Sequence, residues 1–93
     1  MTPASAAVMQ RMRAALEQAL APTHLEILDD SARHAGHPGA AGGGHYRVSL
    51  VAAGFRGCSA LERHRLVYAA LAPLLSGAVH ALNIRARTPE EGP

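Results

Sequence analysis

The chain has 93 residues, enough for one small domain, with 48% apolar and 17% charged residues and a formal charge of +2. All nine basic residues are Arg, the bias of GC-rich coding, and so small a balance excludes strong long-range attraction of a polyanion unless the arginines cluster. A single cysteine, Cys58, excludes an internal disulfide and a Cys-pair metal site, and no run nears the roughly 20 apolar residues of a membrane span, so a cytoplasmic protein with no membrane contact is expected.

Thr2 and Pro3 supply an N-cap and a first-turn proline, and Met9, Met12, Leu16, Ala19 and Leu20 recur at helical spacing until Ala21 and Pro22, which predicts a helix over 3–20. Its Arg-bearing start is similar to a transit peptide, but the acidic Glu17 and the direct run into the next element place it in the fold. Leu25 and Ile27 alternate with Glu26 and Leu28, predicting a strand over 24–30. The stretch HAGHPGAAGGGH, residues 34–45, follows with three of the six histidines and five of the nine glycines. It is too long for a tight hairpin and has few side chains to pack, so a mobile loop is expected. Tyr46, Val48, Leu50 and Ala52 alternate with Arg47, Ser49 and Val51, giving a second strand over 45–53 that returns antiparallel to the first.

Ser59-Ala60-Leu61-Glu62 has the spacing of a capping box and starts a second helix. Ala60, His64, Val67, Leu71, Leu74 and Leu75 share one face of it, which makes His64 a structural, hydrogen-bonded core residue, while Pro73 ends or kinks the helix. A third strand runs over 81–87, with Leu82, Ile84 and Ala86 opposite Asn83, Arg85 and Arg87, before Thr88-Pro89 and a polar tail. The order α-β-β-α-β makes a single domain over 1–93, its core about 5–88, with a right-handed crossover that sets strand three parallel to strand two. The fold class is α+β: a two-layer sandwich of a three-stranded mixed sheet with both helices on one face, similar to type II KH-like domains. KH domains grip nucleic acid through a GXXG loop between helices, whereas Gly54-Phe55-Arg56-Gly57 is a loop before one helix, so that function does not follow from the shape.

The chain has no GxSxG, P-loop or HExxH motif, so an enzyme is not expected. Cys58 stands just before a helix N-terminus and reads either as a redox-sensitive thiol or as a small loop residue. His24 opens a strand without a companion, and His45 reads as a strand-edge residue or a supporting ligand. His34 and His37 lie on the glycine loop, and His80 stands at the entrance to strand three, which begins at the same rim as strand two. An open site of two imidazoles, His80 with His34 or His37, and a set of unrelated surface histidines both fit these positions. Arg56, Arg63 and Arg65 cluster around the start of the second helix, as a phosphate-binding surface or a solvated basic face, and Leu66 beside Ala69, Ala70 and Pro73 offers a patch to a protein partner.

Asp30-Ser31, the His34-bearing loop, HYRVSLV (45–51), FRGCSALERHRLVYAAL (55–71), VHALNI (79–84) and ARTP (86–89) together resemble the BolA family over about residues 10–90. The FxGxSxxxRHRxVY run followed by VHAL is specific in combination. The resemblance implies a partner, a monothiol glutaredoxin, and a 2Fe-2S cluster shared with the glutaredoxin cysteine and a glutathione thiol, with no cluster in the isolated chain, itself a monomer or weak homodimer. By position His80 matches the family's C-terminal histidine and His34 the histidine of its variable loop, with His37 as a competitor. Bacterial members are also described as DNA-binding transcriptional regulators of morphology and stress response, which implicates Arg56, Arg63 and Arg65. Pro73 and Cys58 depart from the family's usual pattern.

Overall fold

The computed structural model describes residues 3–30, 44–75 and 79–93, with the side chains of 3–5 and 80 outside that description. Helix α1 spans Pro3–Leu20, β1 His24–Asp29, β2 Gly44–Val51, α2 Ala60–Leu71 and β3 Val79–Arg87, with short 3-10 turns at Ala53–Phe55 and Ala72–Leu74. α1 forms because alanines fill its open faces while Met12 and Leu16, one turn apart, are fully buried and Val8, Met9, Ala15 and Leu20 flank them. It stops at Ala21, which takes a left-handed φ of 45°, with Pro22 forbidding a further helical bond. The Arg13 guanidinium, on α1, donates to the Leu25 carbonyl at 3.1 Å and so ties the helix to β1.

The sheet order is β1-β2-β3, with β1 antiparallel and β3 parallel to the central β2. Leu25 and Ile27 of β1, Tyr46, Val48 and Leu50 of β2, and Leu82, Ile84 and Ala86 of β3 pack on one side against Met12, Leu16, Val67 and Leu71 of the helices. Glu26, Arg47, Asn83 and Arg85 lie exposed on the other side, together with Leu28 at 49% exposure. Period-two alternation therefore produces two layers with one open sheet face. Phe55, the only phenylalanine, is fully buried where the chain leaves β2 for α2. The turn after it needs Gly57, whose φ of 77° is strained for any side chain.

The capping box is present: the Glu62 amide donates to Ser59 Oγ at 3.1 Å, and Glu62 Oε1 accepts from the Ser59 amide at 2.7 Å. Pro73 acts as its chemistry demands, since α2 ends at Leu71 and tightens into the 3-10 turn Ala72–Leu74.

Two expectations need correction. His64 is exposed, not a core residue, and its Nδ1 sits 2.9 Å from the Ala60 carbonyl. The helical face is right for Val67, Leu71 and Leu74, which are buried in the core, and for Leu75, which packs against it, while Ala60 and His64 overhang an open groove beside β3. The third strand begins at Val79 rather than Ala81, because Val79 is buried and pairs with Gly44.

Candidate functional site

The candidate residues fall at opposite ends of the sheet. At the first end β2 and β3 start side by side: Gly44 pairs with Val79 and His45 with Ala81. The register shifts between these pairs, so His80 is the extra residue of a bulge, a device that re-aims a chain at a strand end. Residues 31–43 lead directly into Gly44, so the segment bearing His34 and His37 enters at the level of His80; both histidines lie outside the described residues. A Cβ at Gly44 would run into the Tyr46 ring, so only glycine lets that ring cover the strand end, where Tyr46 is buried. His45 is half-buried, its Nε2 shielded from solvent, and its carbonyl accepts from the Asp30 amide at 2.7 Å. Arg47 Nε donates to Asp30 Oδ2 at 3.2 Å on the open face. A cavity of about 470 Å³ lies among Asp30, His45, Arg47, Ala81 and Asn83, next to the bulge. Among the described residues no three His, Cys, Asp or Glu side chains gather as a metal site.

The second end holds the arginines, and the structure gives two of them partners that the sequence reading missed. Arg56 forms a two-pronged pair with Glu90, Nε to Oε1 at 3.0 Å and Nη2 to Oε2 at 2.5 Å. Arg63 is 16% exposed and donates to the Cys58 carbonyl (3.1 Å), the Ala86 carbonyl (3.0 Å) and Glu91 Oε1 (2.7 Å). Glu91 Oε1 also accepts from the Thr88 amide at 2.7 Å, and Thr88 Oγ1 accepts from the Glu91 amide at 3.3 Å. Thr88-Pro89-Glu90-Glu91 is therefore a turn closed by the same reciprocal bonds as the capping box of α2, with proline at its second position, and its spacing was the available signal. The Arg63 guanidinium, aided by the Thr88 amide, holds the Glu91 carboxyl down at about 2. Arg56 lowers Glu90, which in turn raises Arg56, and the Ser59 amide lowers Glu62. Arg65 is exposed, with no hydrogen bond or ion pair among the described residues. Cys58 is half-buried, with Sγ 3.6 Å from the Gly54 carbonyl. Among the described residues no helix is long and apolar enough to cross a membrane.

A family profile described as BolA-like protein matches residues 16–91. "BolA-like protein 1" of Homo sapiens is 51% identical over 80 residues, which cover 86% of this chain and 57% of that protein. The chain thus spans a little over half the length of such mammalian relatives. "DNA-binding transcriptional regulator BolA" of Escherichia coli (strain K12) is 38% identical over 84 residues, 90% of this chain and 78% of that protein. The solved structure of BolA1 from Arabidopsis thaliana superposes with a TM-score of 0.79 at 40% identity, covering 92% of this chain and 96% of that one. Two Arabidopsis relatives bear names placing one in the chloroplast and the other in chloroplast and mitochondrion, so such domains are not confined to the cytoplasm.

Proposed function

The chain belongs to the BolA-like family, and we propose that it is an adaptor without catalysis of its own, which binds a monothiol glutaredoxin and helps hold a shared 2Fe-2S cluster for iron-sulfur trafficking and iron homeostasis. Its ligands in this reading are His80 and a histidine of the preceding loop, His34 with His37 as competitor, the other side being held by the glutaredoxin cysteine and a glutathione thiol. The observation that carries the reading is the rim register, in which His80 is the extra residue of a bulge at the level where the His34-bearing segment enters β2.

The donor chemistry fits such a group. Neutral imidazole is a borderline ligand suited to iron, and two imidazoles on one iron of a 2Fe-2S centre are an established ligand set. Cys58 follows the far end of β2, so this chain offers nitrogen rather than sulfur at the rim. Bound there, the cluster supplies a redox-active centre carried between proteins. The chain's own part is to hold neutral imidazoles, with Tyr46 over Gly44 keeping the strand end closed. Composition and the single cysteine favour the cytoplasm as the setting.

The test is reconstitution with a monothiol glutaredoxin, glutathione, iron and sulfide, followed by visible absorption and circular dichroism. His80→Ala should change the cluster bands, and either His34→Ala or His37→Ala should do the same; unchanged spectra in all three reject the ligand assignment. A second reading, a DNA-binding transcriptional regulator of morphology and stress response, is favoured by Arg65, exposed and without an ion pair among the described residues, and by the name of the Escherichia coli relative. In that reading Arg56 and Arg63 must give up Glu90 and Glu91 to meet phosphate. Salt-dependent mobility shifts on promoter DNA, weakened by Arg65→Glu, would favour it.

A further inference from the structure

β3 is an edge strand, and no strand among the described residues pairs with its outer edge. The Ala52 amide donates to the Arg87 carbonyl at 3.0 Å, so backbone groups of Arg87, Arg85 and Asn83 face β2, and those of Ala86, Ile84 and Leu82 face outward. Of the outward carbonyls, Ala86 is taken by Arg63 at 3.0 Å. The outward N–H and C=O groups of Ile84 and Leu82 have no partner among the described residues. Such groups are a template for another strand.

Beside this edge runs an open groove of about 600 Å³. One lip is α2, with Ala60 and His64; the other is β3, with Ile84, Arg85 and Arg87. His64 Nδ1 is held at the Ala60 carbonyl, which leaves Nε2 for a ligand. Arg85 and Arg87 make no ion pair or side-chain hydrogen bond among the described residues. The groove already takes one carboxylate, since the chain's own Glu91 lines it and is bound there by Arg63.

We propose that this groove receives an extended acidic peptide of a partner protein, added as a fourth strand along β3. Alternate residues of a strand face the same side, about 6–7 Å apart, which is the spacing of Arg85 and Arg87. The peptide that fits carries acidic residues at every second position, against those two guanidiniums, with small apolar residues between them over Ala60 and Ile84. A second copy of this chain is a poor occupant, because β3 against β3 sets Arg85 and Arg87 against the same residues, and like charges across strands repel. The mode is strand addition, in which main-chain bonds supply affinity and alternate side chains supply choice.

The probe is a short fluorescein-labelled peptide of alternating Glu and Val, followed by fluorescence anisotropy and by the amide resonances of Leu82 and Ile84. Binding should move those two amides, and N-methylation of the peptide residues that donate to β3 should weaken it about tenfold or more. Arg85→Glu with Arg87→Glu should abolish binding and confer binding of the matching Lys-Val peptide. The N-methylated peptide, tested on the unaltered chain, decides the matter even if the double variant does not fold. Equal affinity with and without N-methylation, shifts confined to α2, no binding of the Glu-Val peptide, or duplex DNA taking its place at this edge would each overturn the proposal.

Discussion

Arg63→Ala is the substitution that most directly tests how the second end of the sheet is held. The side chain is 16% exposed and reaches three segments at once: the Cys58 carbonyl before α2, the Ala86 carbonyl on β3, and Glu91 of the tail. Hydrogen bonds from a charged donor contribute more than neutral ones, and the two to backbone carbonyls are partly buried, so their combined loss should cost about 2–3 kcal/mol. In a domain of this size that lowers the melting temperature by about 10–20 °C. Arg63→Lys, which keeps the charge but not the fork, should fall between. Thermal and urea unfolding followed by circular dichroism measure both, with the urea slope unchanged if the fold is intact. A loss below about 0.5 kcal/mol for Arg63→Ala would refute the reasoning, since the value would be that of an ordinary surface change.

The same contact sets an acid dependence. The folded Glu91 carboxyl titrates at about 2, below its ordinary 4.5. Its stabilisation is therefore fully present above about pH 4.5 and is lost as the pH falls through about 2. Glu90 and Glu62 shift in the same direction, held by Arg56 and by the Ser59 amide. Arg63→Ala should move the Glu91 titration, read from its side-chain carboxyl carbon by NMR, back toward 4.5, though the Thr88 amide keeps part of the shift.

Ser59→Ala removes the acceptor for the Glu62 amide and should cost about 1 kcal/mol, measured by urea unfolding. Ala21→Gly and Gly57→Ala are a pair of opposite sign. At φ 45° the alanine is strained and glycine should stabilise by about 0.5–1 kcal/mol, whereas at φ 77° the new Cβ meets no atom within 4 Å, so the expected loss of about 1 kcal/mol is purely backbone strain. Equal signs for the two would contradict the left-handed geometry. Phe55→Ala should cost about 3–5 kcal/mol, because the ring is wholly enclosed.

What the sequence disclosed was whatever depends on near neighbours. Pro3, the Met12–Leu16 spacing and Pro22 bound α1; Ser59 and Glu62, three apart, mark the start of α2; and the alternation from Tyr46 to Leu50 marks β2. His64 was misplaced because periodicity tells which residues share a face but not whether anything covers it, and the first turns of α2 pass over the edge of β3. The start of β3 was missed because a bulge breaks the period of two on which strand recognition rests. Arg56 and Glu90 are 34 positions apart, so their pairing exists only once the turn before α2 and the tail are folded together. Glu91 with Thr88 was legible in principle, since the closing turn has the same Thr/Ser-to-Glu spacing as the capping box of α2.

The geometry also bears on whether a cluster partner and a ligand of the arginines exclude one another. Gly44, His45 and His80 stand where β2 and β3 begin, while Arg63, Arg87 and Thr88 stand where these strands end. The seven steps from Gly44 to Val51 separate the two ends by about 23 Å. That span is more than two screening lengths at physiological salt, so charge at one end is barely felt at the other. Coupling would have to travel through an element with two arrangements, and the link between the ends is a parallel strand pair packed on Val48, Leu50, Val67 and Leu71, all buried. Occupying the rim should therefore leave the affinity of the Arg63 end for a phosphate-bearing ligand unchanged, whereas a peptide strand paired along β3 would reach Leu82, two residues from His80, and its affinity should fall when the rim is occupied.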